Sequence, residues 1–201
     1  MIKKQTTASL IENRVENQCT NVSYPQIQGL KNKEIQEKIN ELIRKQIAAL
    51  IPKEGCDVYE EILGVYEVKL NKKGILSIRF EFYTFPKQAA NGLTVVKSIT
   101  ANLETGEIYQ LHDLFKINSD YKILISNMIK EQIKEKDLPL INEFQGITDY
   151  EEFYLTENAL VIYFQLYEYT PHSVGIPEFE IPYTKIKNLI NDRGPIVRQL
   201  K

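Results

Sequence analysis

Between Phe153 and Tyr183 the chain carries its most regular alternation of apolar and polar residues. Leu160, Ile162, Phe164 and Leu166 share one face of an extended chain, and Val161, Tyr163, Gln165 and Tyr167 share the other. This predicts a strand over 160–169 with one wholly apolar face. Thr156-Glu157-Asn158 precedes it as a turn, and Phe153–Leu155 is the end of a shorter strand. Residues 170–177, with Pro171, Gly175 and Pro177, read as a loop. Phe179, Ile181 and Tyr183 then alternate with Glu178 and Glu180, which predicts a strand with one wet face. Pro182 places that strand at a sheet edge or marks its last residues. The whole stretch reads as a β-meander.

The rest of the chain alternates between the two periods. Residues 5–11 read as a first strand, 15–23 as a second strand or a loop, and Tyr24–Ile27 as extended chain before a turn at Gly29. Asn32 is placed to cap a helix over 33–51. Ile35, Ile39, Leu42 and Gln46 with Ala49-Leu50 follow its period, Ile43 and Ile47 widen the stripe, and Pro52 ends it. A stripe one face wide predicts a helix lying on a sheet. Residues 58–70 and 75–84 form a hairpin around Asn71–Gly74, with Leu76, Ile78, Phe80 and Phe82 on one face. A loop over 85–92 leads to a strand at 93–103, a turn at 104–106 and a returning arm at 107–111. Ser119 is the expected N-cap of a second helix, whose apolar face draws on Ile123, Leu124, Ile125, Met128, Ile129 and Ile133. A loop around Gly146 precedes the meander, a short helix over 184–191 follows it, and Arg193 opens a loose tail. Each half reads strand, helix, then three strands. The expected fold is α+β: an antiparallel sheet with two main helices packed on it, its repeated order consistent with two similar interlocked halves.

Composition narrows the function classes. Charged residues make up 26% and hydrophobic ones 43%, as in an ordinary globular chain. The net charge is −2 and Lys and Glu are interspersed, so nucleic acid is not an expected partner. Twelve Tyr and no Trp suggest half-buried phenols on sheets; exposed clusters of them would suit sugars or proteins. Cys19 and Cys56 match no zinc or redox spacing, so two reduced thiols are expected, with a bridge only in an exported chain. The first fifteen residues hold no apolar signal core, and no run approaches the roughly 20 apolar residues of a membrane span. As written, the chain is expected to stay where it is made, unless an export segment has been trimmed from it.

Four segments carry a resemblance to a known family: YPQIQGLKNKEIQEKINELI at 24–43, ANLETGEIYQLHDLF at 101–115, FYLTENALVIYF at 153–164 and YEYTPHSVGIPEFEIPY at 167–183. In this order they resemble the extracytoplasmic region shared by lysozyme-sensing anti-sigma factors of the RsiV type and by the segment preceding the catalytic domain of PdaC-type peptidoglycan deacetylases. The resemblance divides the chain into a PdaC-like half, 1–104, and an RsiV-like half, 105–201, within one compact unit. It implies a non-enzymatic envelope domain without a cofactor, and a lysozyme-like protein or peptidoglycan glycan as partner. It also implies an extracytoplasmic location, while the missing signal peptide leaves the cytoplasm open. The chain departs from the family in having no sigma-binding segment, membrane helix or deacetylase domain, so it is not expected to signal as those proteins do.

Candidate chemistry is sparse. His112-Asp113 is an adjacent pair whose simpler role is turn capping by Asp113. Glu60-Glu61 and Glu151-Glu152 point to opposite faces of a strand and are expected to be solvated. Tyr167, Glu168, Tyr169 and His172 flank the 170–177 loop and are the expected binding residues, with the 85–92 loop second. A hydrolase using Glu168 and His172, with Ser173 nearby, is the alternative, but no nucleophile elbow or metal-spaced motif accompanies them. An assembly role inside the cell is a third reading. With two histidines a His-rich metal site is excluded, and a mixed Glu/His site stays open.

Overall fold

The computed structural model describes residues 6–200, so Gln5 and the start of the first expected strand lie outside the described residues. The chain divides into two compact units, Met1–Ile108 and Tyr109–Lys201.

The first unit is a five-stranded sheet in the order β1-β2-β3-β4-β5 with one helix on it. Its strands are β1 (Ser9–Glu16), β2 (Thr20–Gln28), β3 (Tyr59–Lys72), β4 (Ile75–Pro86) and β5 (Leu93–Asn102). α1 (Lys33–Leu50) starts where expected: the Asn32 side chain accepts from the amides of Glu34 and Ile35 at 2.9 and 3.2 Å. Its stripe of Ile39, Ile43 and Ile47 buries against Val22, Ile62, Ile78, Phe80 and Phe82. Between β2 and β3 the helix acts as a crossover, and these two strands pair in parallel, Thr20–Val22 against Ile62–Gly64. The sheet is therefore mixed where a purely antiparallel one was expected. Gly64 sits at this junction, where a Cβ would come within 2.7 Å of Val22. β1 runs later than the expected 5–11 and pairs with β2 as a hairpin. It is an edge strand exposed on both faces, so it shows no alternation to read.

The two cysteines, expected as reduced thiols, form a disulfide. The parallel return of β3 causes this. The Ile62 amide donates to the Cys19 carbonyl at 2.7 Å, which brings the 3-10 turn Gly55–Asp57 beside the start of β2, with Cα atoms 5.5 Å apart. Sequence spacing holds no trace of this pairing.

The second unit is a three-stranded antiparallel meander, β6 (Phe153–Leu155), β7 (Ala159–Tyr163) and β8 (Glu178–Pro182), with α2 (Tyr121–Glu135) packed along β8. β8 is an edge strand and ends on Pro182, as expected. β7 is half its expected length, and all five of its residues are buried because it is the central strand. The alternation beyond Phe164 belongs to a turn: the Glu168 amide donates to the Gln165 carbonyl at 3.2 Å, and Tyr167 has φ +64°. The expected arm at 107–111 reduces to one bridge, Ala101 to Ile108, before a 3-10 turn at Leu111–Leu114. Ser119 does not cap α2; Asp120 holds that position, and the Ser119 hydroxyl donates to the Lys116 carbonyl. Ile123, expected on the apolar face, is 65% exposed, since two residues of helix turn it about 200° from buried Ile125. The short closing helix is α3 (Tyr183–Ile186). The tail is not loose: α4 (Pro195–Leu200) begins on Pro195, and Ile196 is fully buried.

Candidate functional site

The 164–177 loop is anchored from beneath by aromatic packing. Phe164, at the end of β7, stands edge-to-face with Tyr169 (4.8 Å) and Phe179 (5.8 Å), and Phe144 joins from the preceding loop at 5.4 Å from Tyr169. The Ile141 amide donates to the Tyr169 carbonyl at 2.8 Å. Burial, then the charges of Glu168 and Glu151, push the Tyr169 phenol above its ordinary range. Tyr169 thus anchors the loop from a half-buried position.

The other three candidates lie outward. Tyr167 is half-exposed at a positive φ, and its ring lies 5.8 Å from that of His172. His172 begins a 3-10 turn, His172–Val174, that follows Pro171 and closes at Gly175, whose φ is +77°. Glu168 closes the preceding turn: its carboxylate accepts from the Gln165 amide at 2.9 Å, and its carbonyl accepts from the Asn142 side chain at 2.7 Å. The structure therefore pairs Tyr167 with His172 at the surface and engages Glu168 in local backbone hydrogen bonds. Among the described residues no three His, Cys, Asp or Glu side chains are grouped to hold a metal. No helix among them is long and apolar enough to cross a membrane.

The second candidate, 85–92, is a turn that extends β4. The Lys87 amide donates to the Val58 carbonyl at 2.9 Å, and Gly92 lies so close to the Tyr83 ring that a Cβ would sit 2.3 Å from it. His112-Asp113 is a capping pair. The Asp113 carboxylate accepts from the Gln110 amide at 2.8 Å, and His112 Nε2 lies 3.3 Å from it.

The loop around Gly146 carries surface features that the sequence reading passed over. Asp149 accepts from the Tyr121 hydroxyl and pairs with Lys122 at 3.1 Å. The Tyr121 hydrogen bond, then Lys122, hold the Asp149 carboxyl below the usual range, while burial and Asp149 push the Tyr121 phenol well up. Tyr150, next in the chain, is 73% exposed, with the His112 ring 5.6 Å away and nearly perpendicular. No periodic signal marks a loop aromatic, and only its exposure beside two clefts singles it out.

The architecture defines an α+β protein of two helix-on-sheet units. By its relatives, the chain belongs to the RsiV-like family that carries the DUF3298 region. It is 30% identical over 214 aligned positions to the anti-sigma-V factor RsiV of Bacillus subtilis (strain 168), spanning 94% of this chain and 71% of that protein. The family described as "Protein of unknown function (DUF3298)" matches residues 112–184, and that described as "Deacetylase PdaC" matches 12–94. A crystal structure of a DUF3298 family member from Bacteroides fragilis superposes with a TM-score of 0.74 at 13% identity, covering 98% of this chain and 99% of that one. A DUF3298 family protein from Pseudomonas aeruginosa PAO1 gives 0.62 at 14% identity, covering 94% and 95%. At these identities the two structures show the fold alone.

Proposed function

We propose that this chain is a non-enzymatic binding module of the cell envelope, and that the 165–177 loop engages a lysozyme-like protein through Tyr167 and His172. The observation that carries the proposal is the pair of neighbouring outward rings on a loop whose backbone is fixed from below. Aromatic side chains lose little conformational entropy when they bind, and a preorganised loop lowers the cost further. The 30% identity to an anti-sigma factor across 94% of the chain supports a shared binding role. The Cys19–Cys56 bridge supports an oxidising compartment. The hydrolase alternative has less support, because the Glu168 carboxylate accepts a hydrogen bond from its own turn.

Calorimetric titration of the protein with lysozyme tests this. Saturable binding is expected, and Tyr167→Ala and His172→Ala should each weaken it about tenfold, roughly 1.4 kcal/mol, with the melting temperature unchanged. Absence of binding, or full affinity in both variants, would sink the proposal.

A further inference from the structure

Two clefts of about 590 Å³ each open on the second unit and share one wall made of Lys122, Asp149 and Tyr150. The first continues over Ser126, Asn127 and Lys130 of α2 and Gln145–Thr148; the second continues over His112 and residues 116–119. Neither includes a residue of 165–177. Each is of the size that takes a small-molecule ligand, about 300–1,000 Å³.

The wall between them is rigid up to the Tyr150 ring. Gly146, at φ +146°, packs so tightly on α2 that a Cβ would lie 3.0 Å from the Ser126 hydroxyl. That hydroxyl accepts from the Ile147 amide at 3.0 Å, and Ile147 is buried. The Thr148 amide donates to Glu151 at 2.7 Å, and the Tyr150 amide donates to the Thr148 hydroxyl at 3.3 Å. Asp149 is tied to both Tyr121 and Lys122. A loop with this much internal hydrogen bonding thus presents an aromatic ring that is 73% exposed. His112 meets the ring nearly perpendicularly, so at most one side of it is occupied.

We propose that Tyr150 is the stacking platform of a saccharide site, with a linear oligosaccharide crossing the ring and placing one sugar in each cleft. Sugar C–H faces carry slight positive charge and pair with the negative face of a phenol. Planar amides and carboxylates bracket neighbouring hydroxyls with paired donors and acceptors. Asn127 and Gln145 stand in the first cleft, Asn118 in the second and Asp149 between them. Exposed Ile123 and Ile117 add apolar surface, one in each cleft. A protein hot spot would centre on a dry apolar cluster inside a polar rim. Here the two isoleucines stand apart, one in each cleft, and hydrogen-bonding groups lie between them and around the raised ring, which favours a sugar.

The chain has no Trp, so Tyr150→Trp introduces a single tryptophan at the platform, which can be excited apart from the tyrosines. The probes are the neutral tetramer of N-acetylglucosamine and soluble, uncrosslinked peptidoglycan strands bearing acidic stem peptides. At least one probe should bind the unaltered protein saturably by calorimetry and shift the Tyr150→Trp emission. Tyr150→Ala should weaken that binding about tenfold or more, while Tyr167→Ala leaves it unchanged. Binding of the tetramer would show that sugar rings suffice; binding of the strands alone would show that their acidic stems are also read. The proposal is overturned if neither probe binds at millimolar concentration, or if Tyr150→Ala binds as the unaltered protein does. It is equally overturned if Tyr150→Ala loses lysozyme affinity while no saccharide binds, since the surface then belongs to a protein interface. Lysozyme binding lost in Tyr167→Ala reports on the other loop and leaves this test untouched.

Discussion

Asn40 is a polar side chain on the buried face of a helix. Its carboxamide accepts from the Ile27 amide at 2.7 Å and donates to the Ile27 carbonyl at 3.0 Å. It satisfies the backbone of β2 where β3, paired only at Thr20–Val22, no longer does. Asn40→Ala would leave both Ile27 groups buried without this partner, at a cost of about 2–4 kcal/mol. Denaturant unfolding should show the unfolding free energy falling by that amount, with a lower midpoint, and an unmoved midpoint would refute the assignment. Asn32 and Asn40 sit on the same helix, yet only the cap was legible in advance. A cap follows from local chain order, whereas the partner of Asn40 arrives from a strand 13 residues away.

At the scale of elements, the end of β7 decides what the candidate loop is. Alternation from Leu160 to Tyr167 predicted a long strand, but the aromatic cluster of Phe144, Phe164, Tyr169 and Phe179 draws the chain into a turn after Phe164. Tyr169 therefore has a structural role distinct from that of Tyr167. Tyr169→Ala should destabilise the protein by about 2–4 kcal/mol through lost packing, while Tyr169→Phe should keep both stability and lysozyme affinity. Thermal melts alongside calorimetry separate the two, and a Tyr169→Ala protein with unchanged melting would contradict the anchoring role. Of the four expected binding residues, the structure gathers Tyr167 and His172 at the surface, sets Tyr169 beneath the loop and engages Glu168 in its turn. Alternation drew attention to this segment. It could not separate these roles, because a two-residue period is the same for a strand and for a few extended residues before a turn.

At the scale of the whole molecule, the Cys19–Cys56 bridge closes a loop of 37 residues that contains α1. Constraining a loop of that length in the unfolded chain stabilises the fold by about 3–4 kcal/mol. A Cys19→Ser/Cys56→Ser variant should lose about that much in denaturant unfolding, and the unaltered protein should lose it on reduction. A change below about 0.5 kcal/mol would mean that the bridge contributes nothing to the fold. The helix-then-meander order recurs in both units, α1-β3-β4-β5 and α2-β6-β7-β8.

By itself the sequence determined the α+β class, α1 with its Asn32 cap, the β3–β4 hairpin, the meander and the family. All of these rest on neighbours within one turn or one pleat, or on motifs in a set order. Only the tertiary structure decided the parallel pairing of β2 with β3, the disulfide that follows from it, the burial of α4 and the stand of Tyr150 between two clefts. Each of these joins residues whose separation along the chain carries no periodic signal, so it appears only when the elements pack.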